Sequence, residues 1–298
     1  MNDKQGRAGG ALGLLVTSMC AFGTIGLFRR LIPLPSGTIA FFRGLIGTLT
    51  LALVMLILKK KPNMAAIKRN AWLLVISGSA IGFNWILLFE AFNYTSVATA
   101  TLCYYMAPMI VVALSPFLLR EKMTFKRLCC VAITLVGAVL VSGVLGGGDV
   151  GLRGMLFGLG AALLYASVIL MNKFLKEIDA YDKTVIQLAA AAAVMLPYVL
   201  LVERVEASAF TPKAILLLLV VGVFHTGISY AMYFGSVGML PAQTVAIFSY
   251  IDPAVAVILS ALVLREPIGM LEILGAVLIL GSAVLGEVEI GRKKKNKV

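Results

Sequence analysis

The sequence predicts an all-α, polytopic membrane protein of ten transmembrane helices arranged as two inverted five-helix repeats. Three observations predict it. Of the 298 residues, 60% are hydrophobic and 13% charged, whereas a soluble domain is nearer half apolar and a quarter charged. The apolar residues form long unbroken runs, which selects helices over the alternating strands of a membrane barrel. Residues of the first half also recur in the second at one constant, gap-free offset of 145 positions.

A crossing helix needs roughly 20 predominantly apolar residues. On that ruler the first span covers about 10–28. Its basic start, Lys4 and Arg7, resembles the head of a signal peptide, but no small-residue cleavage site follows. Met19 before Cys20 does not suit lipoprotein processing, so the run reads as a retained span. Pro33 and Pro35 break the link to the second span, 36–58, which stops at Lys59-Lys60-Lys61-Pro62. Spans three to five follow at 71–91, 96–118 and 125–145. Gly146-Gly147-Gly148-Asp149 is the one flexible, Gly-rich stretch and falls at mid-chain. Spans six to ten follow at 152–172, 183–202, 213–235, 241–264 and 269–287. The chain thus divides into a first repeat, 1–146, and a second, 150–298, which ends in a basic tail.

Under the 145-residue offset Tyr105 falls on Tyr250, Pro108 on Pro253 and Ser115 on Ser260. Leu119-Arg120-Glu121 falls on Leu264-Arg265-Glu266, Phe89 on Phe234, Thr99 on Thr244, and Gly13 on Gly158. Five spans per half is an odd number, so the second copy enters the membrane upside down. Inverted repeats with a site at their interface are a transporter architecture. With both termini in the cytoplasm, the inner segments hold 19 Lys and Arg residues and the outer segments 6, the sense that the positive-inside rule requires. Such topology places the chain in the cell membrane as a multi-pass protein.

The net charge of +12 does not indicate a nucleic-acid partner, because the basic residues lie in short clusters between apolar runs. The C-terminal tail reads as a solvated stop-transfer segment, with contact to anionic lipid of the bilayer as the alternative. Cys20, Cys103, Cys129 and Cys130 have no spacing suited to a metal site or a disulfide framework. No phosphate-binding Gly loop is present, which excludes ATP as the fuel within this chain. No cofactor or metal is expected. The oligomeric state is open, a homodimer included.

Ten spans, two five-helix halves and a proline-led stretch ending in Leu-Arg-Glu at the close of the fourth helix of each half (Pro108 to Glu121, Pro253 to Glu266) resemble the EamA family of the drug/metabolite transporter superfamily. Phe42-Arg43 in span two and Tyr94-Thr95-Ser96 entering span four share the resemblance. It covers nearly the whole chain. It implies secondary transport of small metabolites, often export of amino acids or related compounds, and names no substrate, because the signature belongs to the scaffold. The acids Glu90 and Asp252 depart from the family pattern.

Ionisable groups inside a span cost on the order of 3 kcal/mol or more each, which makes them functional candidates. Four stand out: Arg43, Glu90, His225 and Asp252. Repeat-matched residues such as Tyr105/Tyr250 and Pro108/Pro253 are expected to serve the shared fold. Glu90 corresponds to Gly235 and Asp252 to Ala107, so both acids are asymmetric. Asp252 and His225 are both deep and are expected to face one central cavity. There Asp252 could bind a cationic group or a proton, with His225 tuning it; the structural alternative is a buried polar pair. Arg43 and Glu90 have similar depths and are expected either to pair or to form an outer gate, with Arg43 holding a substrate carboxylate.

His225, Ser229, Tyr233 and Ser236 fall on one stripe of a regular helix. Tyr165 and Asn172 share a face of span six, Asn84 and Trp85 sit mid-span three, Tyr104 and Tyr105 precede Pro108, and Ser249 and Tyr250 precede Pro253. These side chains suit cation–π and hydrogen-bond contacts with a substrate, or hydrogen bonds between helices. Pro108 and Pro253 are expected to bend their helices. Gly78-x-x-x-Gly82 and Gly154-x-x-x-Gly158 mark close helix packing. The readings that result are a secondary transporter, a lipid or lipid-linked sugar translocator on the same scaffold, or an integral membrane enzyme. The last lacks a paired-carboxylate or nucleophile–base cluster in the sequence.

Overall fold

The apolar runs fold as helices wherever the chain is long enough to satisfy its own backbone. The computed structural model describes residues 2–118, 124–141, 151–203, 205–237, 239–240 and 242–295, and no strand occurs among them. Helix α1 (Asn2–Gly23) passes one interruption at Thr24 into α2 (Ile25–Leu31). Then follow α3 (Ser36–Ile57), α4 (Met64–Tyr94), α5 (Val97–Tyr104), α6 (Ala107–Leu118) and α7 (Phe125–Val141). The second half holds α8 (Leu152–Asn172), α9 (Ala180–Tyr198), α10 (Pro212–Leu219), α11 (Ser229–Val237), α12 (Ala242–Phe248), α13 (Ile251–Leu262) and α14 (Met270–Lys295). Single π-helical segments, Val199–Glu203 and Val220–Ile228, extend α9 and join α10 to α11.

Seven helices among the described residues are long and apolar enough to cross a membrane: Gly9–Leu31, Ser36–Ile57, Met64–Tyr94, Val97–Leu118, Leu152–Asn172, Ala180–Glu203 and Pro212–Val237. Ile251–Leu262 and Met270–Gly286 are shorter apolar helices. The seven coincide with spans expected from the sequence. The fifth is described only to Val141, and the Gly-rich stretch between the repeats lies outside the described residues, as do Leu119, Arg120 and Glu121. The fourth and the ninth are each two helices in line, broken at Tyr105 and Met106 and at Ser249 and Tyr250. The third begins earlier than expected, because Asn63 caps Ala66 N at 3.1 Å and carries Lys68 and Arg69 into the helix.

Caps and prolines set the other starts. Asp179 accepts from Tyr181 N at 2.8 Å, and Ser96 from Thr99 N at 3.0 Å. Thr211 accepts from Ala214 N at 3.2 Å with Pro212 in the first turn. Glu203 closes the start of α3, accepting from Gly37 N, Thr38 N and Thr38 Oγ1 at 2.8, 2.7 and 2.6 Å. A carboxylate suits that positive helix end.

Helices of the two halves interleave. α4 packs on α8 and α9, α3 on α9 and Val220–Ile228, α1 on α11 and α13, α5 on α8 and α13, and α7 on α14. Small residues permit the closest crossings: a Cβ on Gly78 would stand 2.5 Å from Gln187 O, and one on Gly82 3.1 Å from Ala191 O. Phe89, Phe92, Ile39, Leu51, Leu188 and Met195 fill the shared core. On the outside Leu56 is 74% exposed, Trp72 76% and Phe117 82%. Faces of that kind require lipid, not water, as solvent.

Two polar belts mark the ends. At one end Arg69 pairs with Glu177 at 2.9 Å, Asn70 bonds the Lys176 backbone in both directions, and Asn63 N donates to Asp182. At the other, Arg30 pairs with Glu266 at 2.8 Å. Arg29 is buried there. It donates to Asn93 Oδ1 at 3.0 Å and Ser36 Oγ at 3.2 Å, and its Nε has no partner among the described residues.

Candidate functional site

Two interrupted helices meet at the middle of the molecule. Between α5 and α6 the chain turns at Tyr105 and Met106, and between α12 and α13 at Ser249 and Tyr250. Each break stands just before a proline that cannot donate to the carbonyl four residues back: Pro108 to that of Tyr104, Pro253 to that of Ser249. The expected bends are therefore full interruptions at repeat-matched positions. Unwound backbone in a bundle interior is tolerated where it lines a cavity.

A cavity of about 640 Å³ does lie there. Phe22 and Gly23 of α1, Arg43 of α3, and Asn84, Trp85 and Leu88 of α4 form one side. Tyr104, Tyr105 and Pro108, Tyr165 of α8, Tyr230 and Tyr233 of α11, and Ser249, Tyr250 and Asp252 complete it. It extends past Ser115 and Ile169 to Arg127 and Lys173 at the Arg69–Glu177 end.

Asp252 sits in the first turn of α13, where the positive helix end favours a carboxylate. Tyr105 Oη donates to its Oδ2. Tyr105 and Tyr250, matched by the repeat, stand with ring centroids 6.5 Å apart. Tyr104 meets Tyr105 edge-on and stacks on Tyr165 at 5.2 Å. Arg43 donates from Nε to Thr226 Oγ1 at 3.1 Å, and its guanidinium lies over the Trp85 ring, 4.2 Å from the centroid. Asn84 Nδ2 donates to Ala161 O at 2.5 Å and ties α4 to α8. Of the expected site residues, the structure brings Asp252, Tyr250, Tyr105, Tyr104, Trp85, Asn84, Tyr165 and Arg43 to one cavity.

It places three elsewhere. His225 is not among the lining residues: Nε2 is 2.6 Å from Thr24 Oγ1, Nδ1 is 3.3 Å from Val220 O, and the ring packs edge-on against Phe28. Ser229 is buried and donates to Phe224 O at 2.7 Å. His225 lies within the π-helical segment, where backbone hydrogen bonds span five residues, not four. Ser229 opens the regular helix α11, and its hydroxyl turns back to the Phe224 carbonyl. The face turned to the cavity is that of Tyr230 and Tyr233. Gly222 lets this segment lie against α3, since a Cβ there would stand 2.5 Å from Ile46 Cβ.

Glu90 does not pair with Arg43. It accepts from Asn93 Nδ2 at 3.3 Å. Similar depth did not make the two neighbours, because they occupy different faces. Asn172, placed with Tyr165 by spacing, accepts instead from Gln187 Nε2 at 2.8 Å. Tyr230, Arg127 and Lys173 line the cavity and were not singled out by the sequence.

The second belt, which does not line the cavity, joins the two halves. Glu266 joins the halves there: Oε1 accepts from Arg30, and Oε2 accepts from Val97 N at 2.8 Å and Ser260 Oγ at 2.5 Å. Arg30 also donates to Thr95 O at 2.9 Å.

Residues 9–143 and again 152–286 match the EamA-like transporter family. "Uncharacterized transporter YxxF" of Bacillus subtilis (strain 168) is 30% identical over 275 residues, covering 91% of this chain and 87% of the relative. "Uncharacterized transporter YoaV" of the same organism is 27% identical over 259 residues, covering 85% and 88%. A solved structure described as "Crystal structure of protein" has a TM-score of 0.65 at 19% identity over 95% of this chain and 98% of the other, a likeness of fold.

Proposed function

The chain belongs to the EamA-like transporter family and is a multi-pass membrane transporter, and on that premise we propose that it moves a small polar metabolite across the cell membrane by alternating access through the central cavity. An amino acid, an amine or a related compound is the expected cargo class. The observation that carries the reading is the site's composition. Asp252 of the second half is held by Tyr105 of the first, at two helix breaks, inside a cavity large enough for a metabolite. Discontinuous helices at a repeat interface are how secondary transporters build such sites.

The pairing of helices supports ten crossings in two inverted repeats. Exchange of the halves leaves the pattern intact: the first span lies on the eighth and ninth as the sixth lies on the third and fourth, and the second lies on the eighth as the seventh lies on the third. The double family match supports the same duplication. With both termini cytoplasmic, the Arg30–Glu266 belt is the outer end and Arg127 and Lys173 the inner end. The conformation is then closed outside and reaches toward the cytoplasm. The test is flux into proteoliposomes across a panel of amino acids, amines and organic acids, with product analysis to detect chemical conversion. Saturable flux of an unmodified solute supports the reading; conversion without flux replaces transport with an enzyme.

A further inference from the structure

Arg43 is 6% exposed, yet among the described residues its only hydrogen bond is Nε to Thr226 Oγ1. Trp85 fixes the plane of the guanidinium from one side. Nη1 and Nη2, the two ends of the fork, are left without a hydrogen-bond partner on a residue that lines the cavity. A buried charge with open donors is costly until an acceptor arrives, and stacking on an indole recovers only about 2 kcal/mol of that. Asp252 lines the same cavity but forms no ion pair with Arg43 among the described residues; Tyr105 engages it instead. The other charged lining residues, Arg127 and Lys173, are cations.

We infer that Arg43 is the anion-recognition residue of the transport site, and that the cargo carries a carboxylate received by Nη1 and Nη2 while its body lies against Trp85 and the tyrosines. The geometry suits it: the guanidinium fork matches two carboxylate oxygens in one plane. Thr226 and Trp85 prevent the fork from rotating, so the arriving acid meets a preset receptor. This rests on the transport reading and narrows it, for it excludes amines that lack an acid group.

Trp85 supplies the readout. The chain has two tryptophans, and Trp72 is 76% exposed on the outer face, so Trp72→Phe leaves Trp85 as sole reporter beneath the guanidinium. Purified protein with this background is titrated with benzoate, phenylacetate and benzylamine. A saturable change in Trp85 emission with the carboxylates and none with benzylamine is expected. Arg43→Gln abolishes the response. Arg43→Lys keeps a point charge without the fork and retains a response at least ~tenfold weaker. An equal response to benzylamine overturns the proposal, as does a carboxylate response that survives Arg43→Gln, or no response to either carboxylate. If Arg43→Gln elutes as aggregate, Arg43→Lys decides: unchanged carboxylate affinity overturns the proposal. Flux in proteoliposomes is read separately, so saturable transport of an amine without a carboxylate response removes the anion subsite and leaves transport intact.

Discussion

Tyr105 of the first half donates its hydroxyl proton to Asp252 of the second, and the two residues stand at or beside the breaks of two helices matched by the repeat. That contact joins the halves at the centre of the cavity. A hydrogen bond to a charged group contributes about 1.5–3 kcal/mol. Tyr105→Phe removes it without changing the ring, and flux should fall about tenfold at unchanged expression, as measured in proteoliposomes. Unchanged flux would detach the contact from the transport cycle.

Arg30 and Glu266 pair at 2.8 Å across the two halves. On the proposed alternating-access cycle this contact must open. In a background with the four native cysteines replaced by serine, Arg30→Cys with Glu266→Cys can be bridged by a reducible bis-methanethiosulfonate. Bridged protein should lose flux and regain it on reduction. Full flux in the bridged state would show that this end does not move.

Pro108 and Pro253 impose the two interruptions. Replacement by alanine restores an amide donor in the first turn after each break, where proline itself carries little penalty. Pro253→Ala should hold or raise the melting temperature while lowering flux about fivefold, because the straightened helix resists rearrangement. A lower melting temperature with normal flux would contradict this role.

Gly78 lets α4 approach α9 closely. A methyl there would press against the Gln187 carbonyl and Ala190 Cβ, at 2.5 and 2.7 Å. Gly78→Ala should cost on the order of 1–3 kcal/mol of stability, visible as a lower melting temperature in detergent, with flux per folded molecule unaffected.

Much of this arrangement was legible in the sequence. Asp252 stood out because its repeat partner is Ala107, and Tyr104, Tyr105 and Tyr250 because they precede the matched prolines. Asn84 and Trp85 followed from their mid-span depth, and Tyr165 from the face it was expected to share with Asn172. Depth can be counted along a sequence, but direction around a helix is harder to read. His225 was assigned to the cavity by its depth and, with Ser229, by α-helical spacing; the π-helical segment between Val220 and Ile228 changes the direction of His225, and Ser229 turns its hydroxyl back to the Phe224 carbonyl. Arg43 and Glu90 shared a depth but not a face; Trp85 and Phe89, one turn apart on α4, were the better guide to where the Arg43 guanidinium lies. Tyr105 and Tyr250 were expected to serve the scaffold and line the cavity, so a matched residue is not thereby excluded from the site.

The most direct test of the account is flux by Asp252→Asn in proteoliposomes, compared with wild type at equal protein and across pH, for a solute that the wild type carries. The substitution preserves size and removes the charge. The account predicts that saturable flux is lost, or falls at least ~tenfold, while the protein remains monodisperse. Full wild-type flux by Asp252→Asn at every pH would contradict it.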